Sequence, residues 1–169
     1  MHRFTRSAAL VAVITLGLAG AALAQDAVPP GEQPVDPYAR SSANAHATPL
    51  TDTRVFEAFH GKDGLARIAA DTVDRSLADP RIKEIFATTD VPRLKRTLAE
   101  QFCYVLGGGC DYTGRDMKSV HKDMGVTNRD FNALVENLQW AMEKEGVPFF
   151  AQNKLLAKLA PMQRGVVER

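Results

Sequence analysis

The chain has 169 residues, of which 45% are hydrophobic and 24% charged, and a length of this order is typical of one domain. Lysine and arginine number 21 against 20 aspartates and glutamates, so the formal charge is +1. This balance argues against a broad basic face for nucleic acid, and two cysteines are too few for a disulfide scaffold or a four-cysteine zinc site.

The first 24 residues are typical of a secretory signal peptide. Arg3 and Arg6 precede an uncharged apolar run, and Ala22-Leu23-Ala24 has small residues at both positions that a signal peptidase inspects. The apolar run is short for a membrane span, and no cysteine follows the predicted cleavage site to accept a lipid anchor. No stable membrane anchor is therefore expected after cleavage. We therefore predict an exported, periplasmic protein that begins at Gln25.

Residues 25–50 have the composition of a disordered, proline-rich linker. They hold five of the nine prolines and show no apolar periodicity. Such a segment buries too little apolar surface to offset the entropy lost on ordering. The folded unit is therefore expected over residues 51–169.

The remainder of the chain carries helical periodicity, and no strand pattern competes with it. Apolar residues spaced three and four apart from Leu65 to Leu77 predict an amphipathic helix that ends at Asp79-Pro80. Residues 81–86 predict a short helical turn. A second long helix is expected to begin near Pro92 and to stop at the glycine run 107–109.

Beyond a loop at residues 110–114, residues 115–124 predict a short amphipathic piece that carries His121. A third long helix follows, with Thr127 and Asp130 predicted to cap its start and Gly146 to end it. The last helix is expected to kink or end at Pro161. The predicted fold class is therefore all-α.

His121 is the first candidate for chemistry, because it and His60 are the two histidines of the predicted folded unit. A neutral imidazole in an apolar wall is a good axial ligand for iron. A core or boundary histidine bonded to the backbone explains the same pattern, and composition and spacing alone favour that simpler interpretation. His60 is interpreted as a turn or boundary residue.

The sequence around His121 resembles the group 1 truncated haemoglobins. The resemblance covers about residues 53–165, and its matching segments are the glycine run 107–109, Tyr112-Thr113-Gly114, Met117 with His121, Gly125-Val126-Thr127, Phe131, Asp79-Pro80, Phe86, Gly146-Val147-Pro148 and Ala160-Pro161. It implies a truncated globin fold, which is a two-over-two helical sandwich around one haem b. The haem would be held without covalent attachment, since no Cys-x-x-Cys-His motif is present.

The resemblance also implies a role for each matching residue. His121 takes the place of the proximal iron ligand. Tyr112 and Arg93 occupy positions that contact the haem propionates in the family. A solvated surface charge explains Arg93 equally well. The positions that line the family's haem pocket are Phe86, Leu94, Leu98, Phe102, Met117, Val120, Val126 and Phe131.

The positions that would face bound gas depart from the family pattern. Thr72 and Val73 stand where many members have Phe and Tyr, and Leu98 stands where many have Gln. The usual hydrogen-bond donors to oxygen are thus absent, which predicts an unusually apolar distal pocket and fast oxygen release. Gln101, one turn from Leu98, is the best substitute donor. The alternative is that its side chain lies on the helix surface and plays no part in the pocket.

The resemblance implies reversible binding of a diatomic gas such as O₂, NO or CO. Oxygen delivery or NO dioxygenation favours slow oxygen release and an electron donor, whereas a pocket poor in donors favours a redox, NO-reactive or sensing protein. A haem-free helical interaction module is the remaining alternative. The sequence leaves open whether NO dioxygenase or peroxidase-like activity accompanies binding.

Cys103 and Cys110 are seven residues apart. On one continuous helix this spacing is too long for a disulfide, but the glycine run between them can turn the chain back. Export favours oxidation. The sequence therefore leaves two alternatives, which are a Cys103–Cys110 disulfide and a buried thiol with a separate loop thiol.

Overall fold

The computed structural model describes residues 28–169, and the predicted signal peptide lies outside them. Over this range the chain forms helices and turns and no strand. The α-helices are α1 (Thr53–Ala58), α2 (Gly61–Ala78), α3 (Val91–Val105), α4 (Met117–His121), α5 (Asn128–Lys144), α6 (Phe149–Leu159) and α7 (Gln163–Val166). None of the helices between residues 28 and 169 has the length and apolar character to span a membrane.

Helix α3 ends at the glycine run, as the sequence predicts. The N–H groups of Gly107 and Gly108 donate to the carbonyls of Tyr104 and Cys103 at 3.0 and 2.8 Å, which is the Schellman arrangement. Gly107 has a φ of 78°, and a Cβ built there would lie 2.1 Å from the carbonyl oxygen of Leu50. Glycine is therefore required both by the turn and by the close approach of the incoming chain.

Helix α5 is also bounded as predicted. Thr127 and Asp130 form a reciprocal capping box at its start. At its end Gly146 has a φ of 78° and the N–H of Val147 donates to the carbonyl of Met142 at 2.9 Å. The 3-10 turn Ala160–Met162, which contains Pro161, then separates α6 from α7.

The long helices pack around α2, which contacts both α3 and α5, while α3 also contacts α6. Their shared core consists of side chains that are almost completely buried, the largest being Phe59, Leu65, Ile68, Phe102, Leu106, Met142 and Leu155. The short helix α4 packs on α7. This arrangement holds α4 opposite α2 and α3 and leaves a cavity between them.

Residues 32–46, called the N-terminal strap below, lie against the helical body instead of forming the disordered linker that composition predicts. The Glu32 side chain is 2% exposed beside Arg96, and Ala45, which ends the 3-10 helix Ser42–Ala45, is fully buried. Composition fails here because the strap is fixed by hydrogen bonds and ion pairs with distant residues, and these need no apolar periodicity.

Candidate functional site

A cavity of about 640 Å³ lies between α2, α3, α4 and α5. Its volume is in the range of small-molecule and cofactor sites. Every residue that the sequence places around a cofactor or in the distal pocket lines it, namely Thr72, Val73, Phe86, Arg93, Leu94, Leu98, Gln101, Phe102, Tyr112, Met117, Val120, His121, Val126 and Phe131. The cavity therefore gathers in one place residues that are up to 59 positions apart in the chain.

His121 is positioned by the single-turn helix α4. Asp116 caps this helix by accepting a hydrogen bond from the N–H of Ser119 at 3.0 Å. The His121 Nδ1 lies 2.7 Å from the carbonyl oxygen of Met117. A carbonyl only accepts, so Nδ1 carries the proton and the lone pair of Nε2 is left for a ligand.

Burial determines the charge of the His121 imidazole. It lowers the pKa of His121 from its usual value, and the bond to the Met117 carbonyl opposes this shift in part. The ring is therefore neutral near pH 7, which is the form that binds iron. On the same helix Val120 is 44% exposed, and nearby Met124 is 37% exposed. Apolar side chains next to the imidazole are therefore accessible to solvent.

The α2 and α3 wall of the cavity offers few free hydrogen-bond donors. The Thr72 hydroxyl donates to the carbonyl of Ile68 at 2.7 Å, and the Thr97 hydroxyl donates to the carbonyl of Arg93 at 2.9 Å. Val73, which also lines the cavity, is apolar and 2% exposed. Both hydroxyl hydrogens are thus used within their own helices.

Gln101 is buried and lines the cavity, so the helix-surface alternative is wrong. Its Nε2 lies 3.7 Å from the sulfur of Met117 and 3.5 Å from that of Met162. A thioether is a weak acceptor. Because Met117 begins α4, this contact places the Gln101 amide beside the helix that carries His121.

One end of the cavity is polar. The Arg93 guanidinium, 17% exposed, donates to the carbonyl of Gln33 and to Asp90, so it is not a solvated surface charge. The buried Tyr112 hydroxyl donates to the carbonyl of Arg115 at 2.9 Å, and burial raises the pKa of this phenol. Arg115 also lines this end.

The sequence does not indicate several other lining residues, among them Ile82, Ile85, Leu159, Met162, Val166 and two further groups. The first comprises Leu134, Val135 and Leu138 on α5, whose helical spacing with Phe131 was a usable signal. The second comprises Pro34, Val35, Asp36 and Tyr38 of the N-terminal strap. No local pattern in the strap indicates this position, since it depends on partners far along the chain.

Cys103 and Cys110 are bonded in the structure, with their Cα atoms 5.7 Å apart. The Schellman turn at Gly107 reverses the chain between them, which brings the two residues within disulfide range. The bond joins the end of α3 to the loop that leads to Tyr112.

A family model described as bacterial-like globin matches residues 54–168. A group 1 truncated hemoglobin from Mycolicibacterium paratuberculosis is 32% identical over 108 residues, which cover 64% of this chain and 79% of that protein. The N-terminal strap precedes the residues that the family model matches.

Solved structures share the fold. The truncated hemoglobin of Tetrahymena pyriformis in its Fe(III) form superposes with a TM-score of 0.65 at 24% identity and covers 68% of this chain and 98% of that one. The 2/2 hemoglobin of Synechococcus sp. PCC 7002, solved in the cyanomet state with covalently attached heme, gives a TM-score of 0.63 at 23% identity with the same coverage.

Proposed function

We propose, from the premise that this chain belongs to the bacterial-like globins and within them to the group 1 truncated haemoglobins, that its cavity binds haem through His121 and takes a diatomic gas. The family supports non-covalent haem b as the cofactor and haem-based ligand binding as the function. The main support for His121 as the iron ligand is the hydrogen bond from its Nδ1 to the Met117 carbonyl, which leaves Nε2 free at an apolar cavity.

The residues present fit haem in size and in chemistry. The cavity of about 640 Å³ has mainly apolar walls and one polar end with Arg93 and Arg115, which suits a flat apolar ring with two carboxylates. Among residues 28–169 no three His, Cys, Asp or Glu side chains come together to hold a bare metal ion. A haem needs only one such side chain, since its iron already has four nitrogen ligands.

When bound, haem would supply an iron atom able to bind a diatomic gas, and His121 would be the protein ligand that holds it. The protein supplies position and environment. The Met117 carbonyl fixes the orientation of the His121 ring and keeps its proton on Nδ1. The buried side chains of Val73 and Phe102 give the cavity apolar lining, which would keep the local dielectric constant low.

The donor-poor wall supports a second, finer proposal. The hydroxyl hydrogens of Thr72 and Thr97 are used within their helices, and the Gln101 amide contacts Met117. Among the described residues of α2 and α3, these three side chains would therefore offer bound gas no strong donor. A polarised ligand such as O₂ is then held weakly. This favours a redox, NO-reactive or sensing role over oxygen transport, with an unidentified electron donor to keep the iron ferrous.

Replacing His121 with alanine tests the cofactor proposal. We expect the wild-type protein, mixed with haem, to give a strong Soret band, and His121→Ala to lose most of it because the iron loses its protein ligand. His60→Ala is the matched control, since His60 is exposed and bonded to Glu145. Failure of the wild type to take up haem would refute the proposal, and an unchanged band in His121→Ala would refute the role of His121.

Replacing Val73 tests the donor-poor pocket. Val73→Tyr introduces a hydroxyl at a lining position that carries none, and Val73→Phe adds a ring of similar size without it. By stopped flow we expect the tyrosine variant to release O₂ several-fold to tenfold more slowly than the phenylalanine variant, about one hydrogen bond's contribution. Equal rates in the two variants, or slow release by the wild type, would mean that another residue already donates.

We also propose that the protein is exported and cleaved after Ala24. The Cys103–Cys110 disulfide supports an oxidising compartment. Intact-mass measurement of protein from the periplasmic fraction should give a chain that begins at Gln25. Recovery of the uncleaved chain from the cytosolic fraction would contradict export.

A further inference from the structure

The N-terminal strap is bound at one end to α3. Glu32, 2% exposed, places its two carboxylate oxygens 2.5 and 3.0 Å from Nε and Nη2 of Arg96, and one of them 3.4 Å from Arg93. The N–H of Gln33 donates to Asp90 at 2.7 Å, while Arg93 donates to the carbonyl of Gln33. Both arginines are therefore turned towards the strap by a buried carboxylate and a backbone carbonyl.

The other end of the strap is bound to the loop that leads into α4. The Tyr38 hydroxyl donates to the carbonyl of Thr113 at 2.7 Å, and Arg115 lies over the Tyr38 ring at 5.0 Å. The Asn44 amide donates to the carbonyl of Gly114 at 3.1 Å. The Ser42 hydroxyl oxygen accepts from the N–H of Tyr112 at 3.2 Å.

Between these two attachments the strap crosses the polar end of the cavity. Pro34, Val35, Asp36 and Tyr38 all contribute to the cavity wall there. Helix α3 and the loop that leads into α4 are thus connected by a segment that lies outside the globin match at residues 54–168.

We propose that the N-terminal strap is an added wall of the haem site, that it retains the cofactor, and that the Glu32 ion pairs with Arg93 and Arg96 keep it in place. The proposal rests on the proposed haem binding. A group that leaves through the polar end has to displace the strap, so its departure requires breaking the contacts at Glu32 and Tyr38. Loss of those contacts should accelerate haem loss without removing the iron ligand.

The test is the rate at which haem passes from the ferric holoprotein to a large excess of apomyoglobin. Glu32→Gln removes the carboxylate charge, and Tyr38→Phe removes the hydroxyl that bonds to Thr113 while the ring is kept. We expect the double variant to lose haem about tenfold faster than the wild type, and each single variant to lie between them. Glu57→Gln, which alters an exposed carboxylate on α1, is the matched control and should keep the wild-type rate.

Hydrogen–deuterium exchange on the unmodified protein gives a second, independent measurement. We expect the amides of Gln33, Asn44 and His46, which donate hydrogen bonds to Asp90, Ser41 and Ala43, to be protected in the holoprotein and to exchange faster after haem removal. Unprotected strap amides in the holoprotein would overturn the proposal. If the double variant failed to fold, as judged by far-ultraviolet circular dichroism, Glu32→Gln and the exchange data would decide.

The outcomes separate the two proposals. A wild type that takes up no haem refutes the proposed function. A wild type that takes up haem, with the double variant losing it at the wild-type rate, refutes only the strap's retaining role.

Discussion

At the scale of single residues, backbone conformation restricts which residues the chain tolerates as strongly as side-chain packing does. Gly107 and Gly109 both have left-handed backbones, with φ of 78° and 68°. They differ in surroundings, because a Cβ at Gly107 would meet the Leu50 carbonyl oxygen at 2.1 Å, whereas none of the described atoms lies within 4 Å of a Cβ at Gly109. Comparing substitutions at these two positions therefore separates the cost of backbone strain from the cost of a steric clash.

Alanine at Gly107 should therefore be more destabilising than alanine at Gly109. We expect both to lose roughly 1 kcal/mol through the positive φ, and Gly107→Ala to lose about 1–3 kcal/mol more because a backbone atom has to move. Urea denaturation of the two variants measures the difference. Equal midpoints would show that the Leu50 segment moves aside at no cost.

Residue-scale prediction from sequence works where a motif specifies a local environment. His121, Met117 and Tyr112 were identified from a contiguous stretch, and all three line the cavity. Arg93 shows the limit of this reasoning. Its helix position was clear, but its partners Glu32 and Gln33 lie 60 or more residues earlier in the chain, and their spatial proximity depends on the tertiary fold.

At the scale of elements, the ends of α3 and α5 could be predicted because capping chemistry is local. The glycine run and the Thr127–Asp130 box act within a few residues of themselves. The sequence does not predict helix α1, because its six residues, Thr53–Ala58, make fewer than two turns and show no usable period. The position of the strap is not predictable from local sequence, because the contacts that join it to the helical body are long-range.

The disulfide at the end of α3 should contribute to stability. It closes a loop over a sequence separation of seven, and the chain-entropy relation assigns a loop of this size about 2 kcal/mol. We expect Cys103→Ser/Cys110→Ser to unfold at a lower urea concentration than the oxidised wild type. Reductant should lower the wild-type midpoint and leave that of the double variant unchanged; a wild type insensitive to reductant would contradict the bond.

At the scale of the whole molecule, one carboxylate connects the start of α2 to the end of α5. Glu145 lies 3.0 Å from Nε of Arg67 and 3.1 Å from Nδ1 of His60, and its side chain is 13% exposed. The hydrogen bond from Arg67, assisted by that from His60, lowers the pKa of Glu145 from 4.5 to about 2. The folded state therefore favours the ionised carboxylate more strongly than the unfolded state does.

This shift predicts part of the acid sensitivity of the fold. The stabilisation from Glu145 is complete above its unfolded pKa of 4.5 and is lost as the pH falls through about 2. Glu145→Gln should thus be less stable than the wild type at pH 7, and the two should converge as the pH approaches 2. Chemical denaturation across this range measures the difference, with exposed Glu143→Gln as control. A difference that stays constant with pH would exclude Glu145 as its source.

The long reach of the strap also affects the order in which the molecule assembles. Its hydrogen-bond partners in the helical body lie 57 to 79 residues further along the chain. Its docking therefore requires the closure of long loops and the prior formation of α3 and the loop before α4. Although it is synthesised before the helices, we expect it to dock after them. The cavity would then stand open on its polar side during folding, and the cofactor could load before the last segment closes over it.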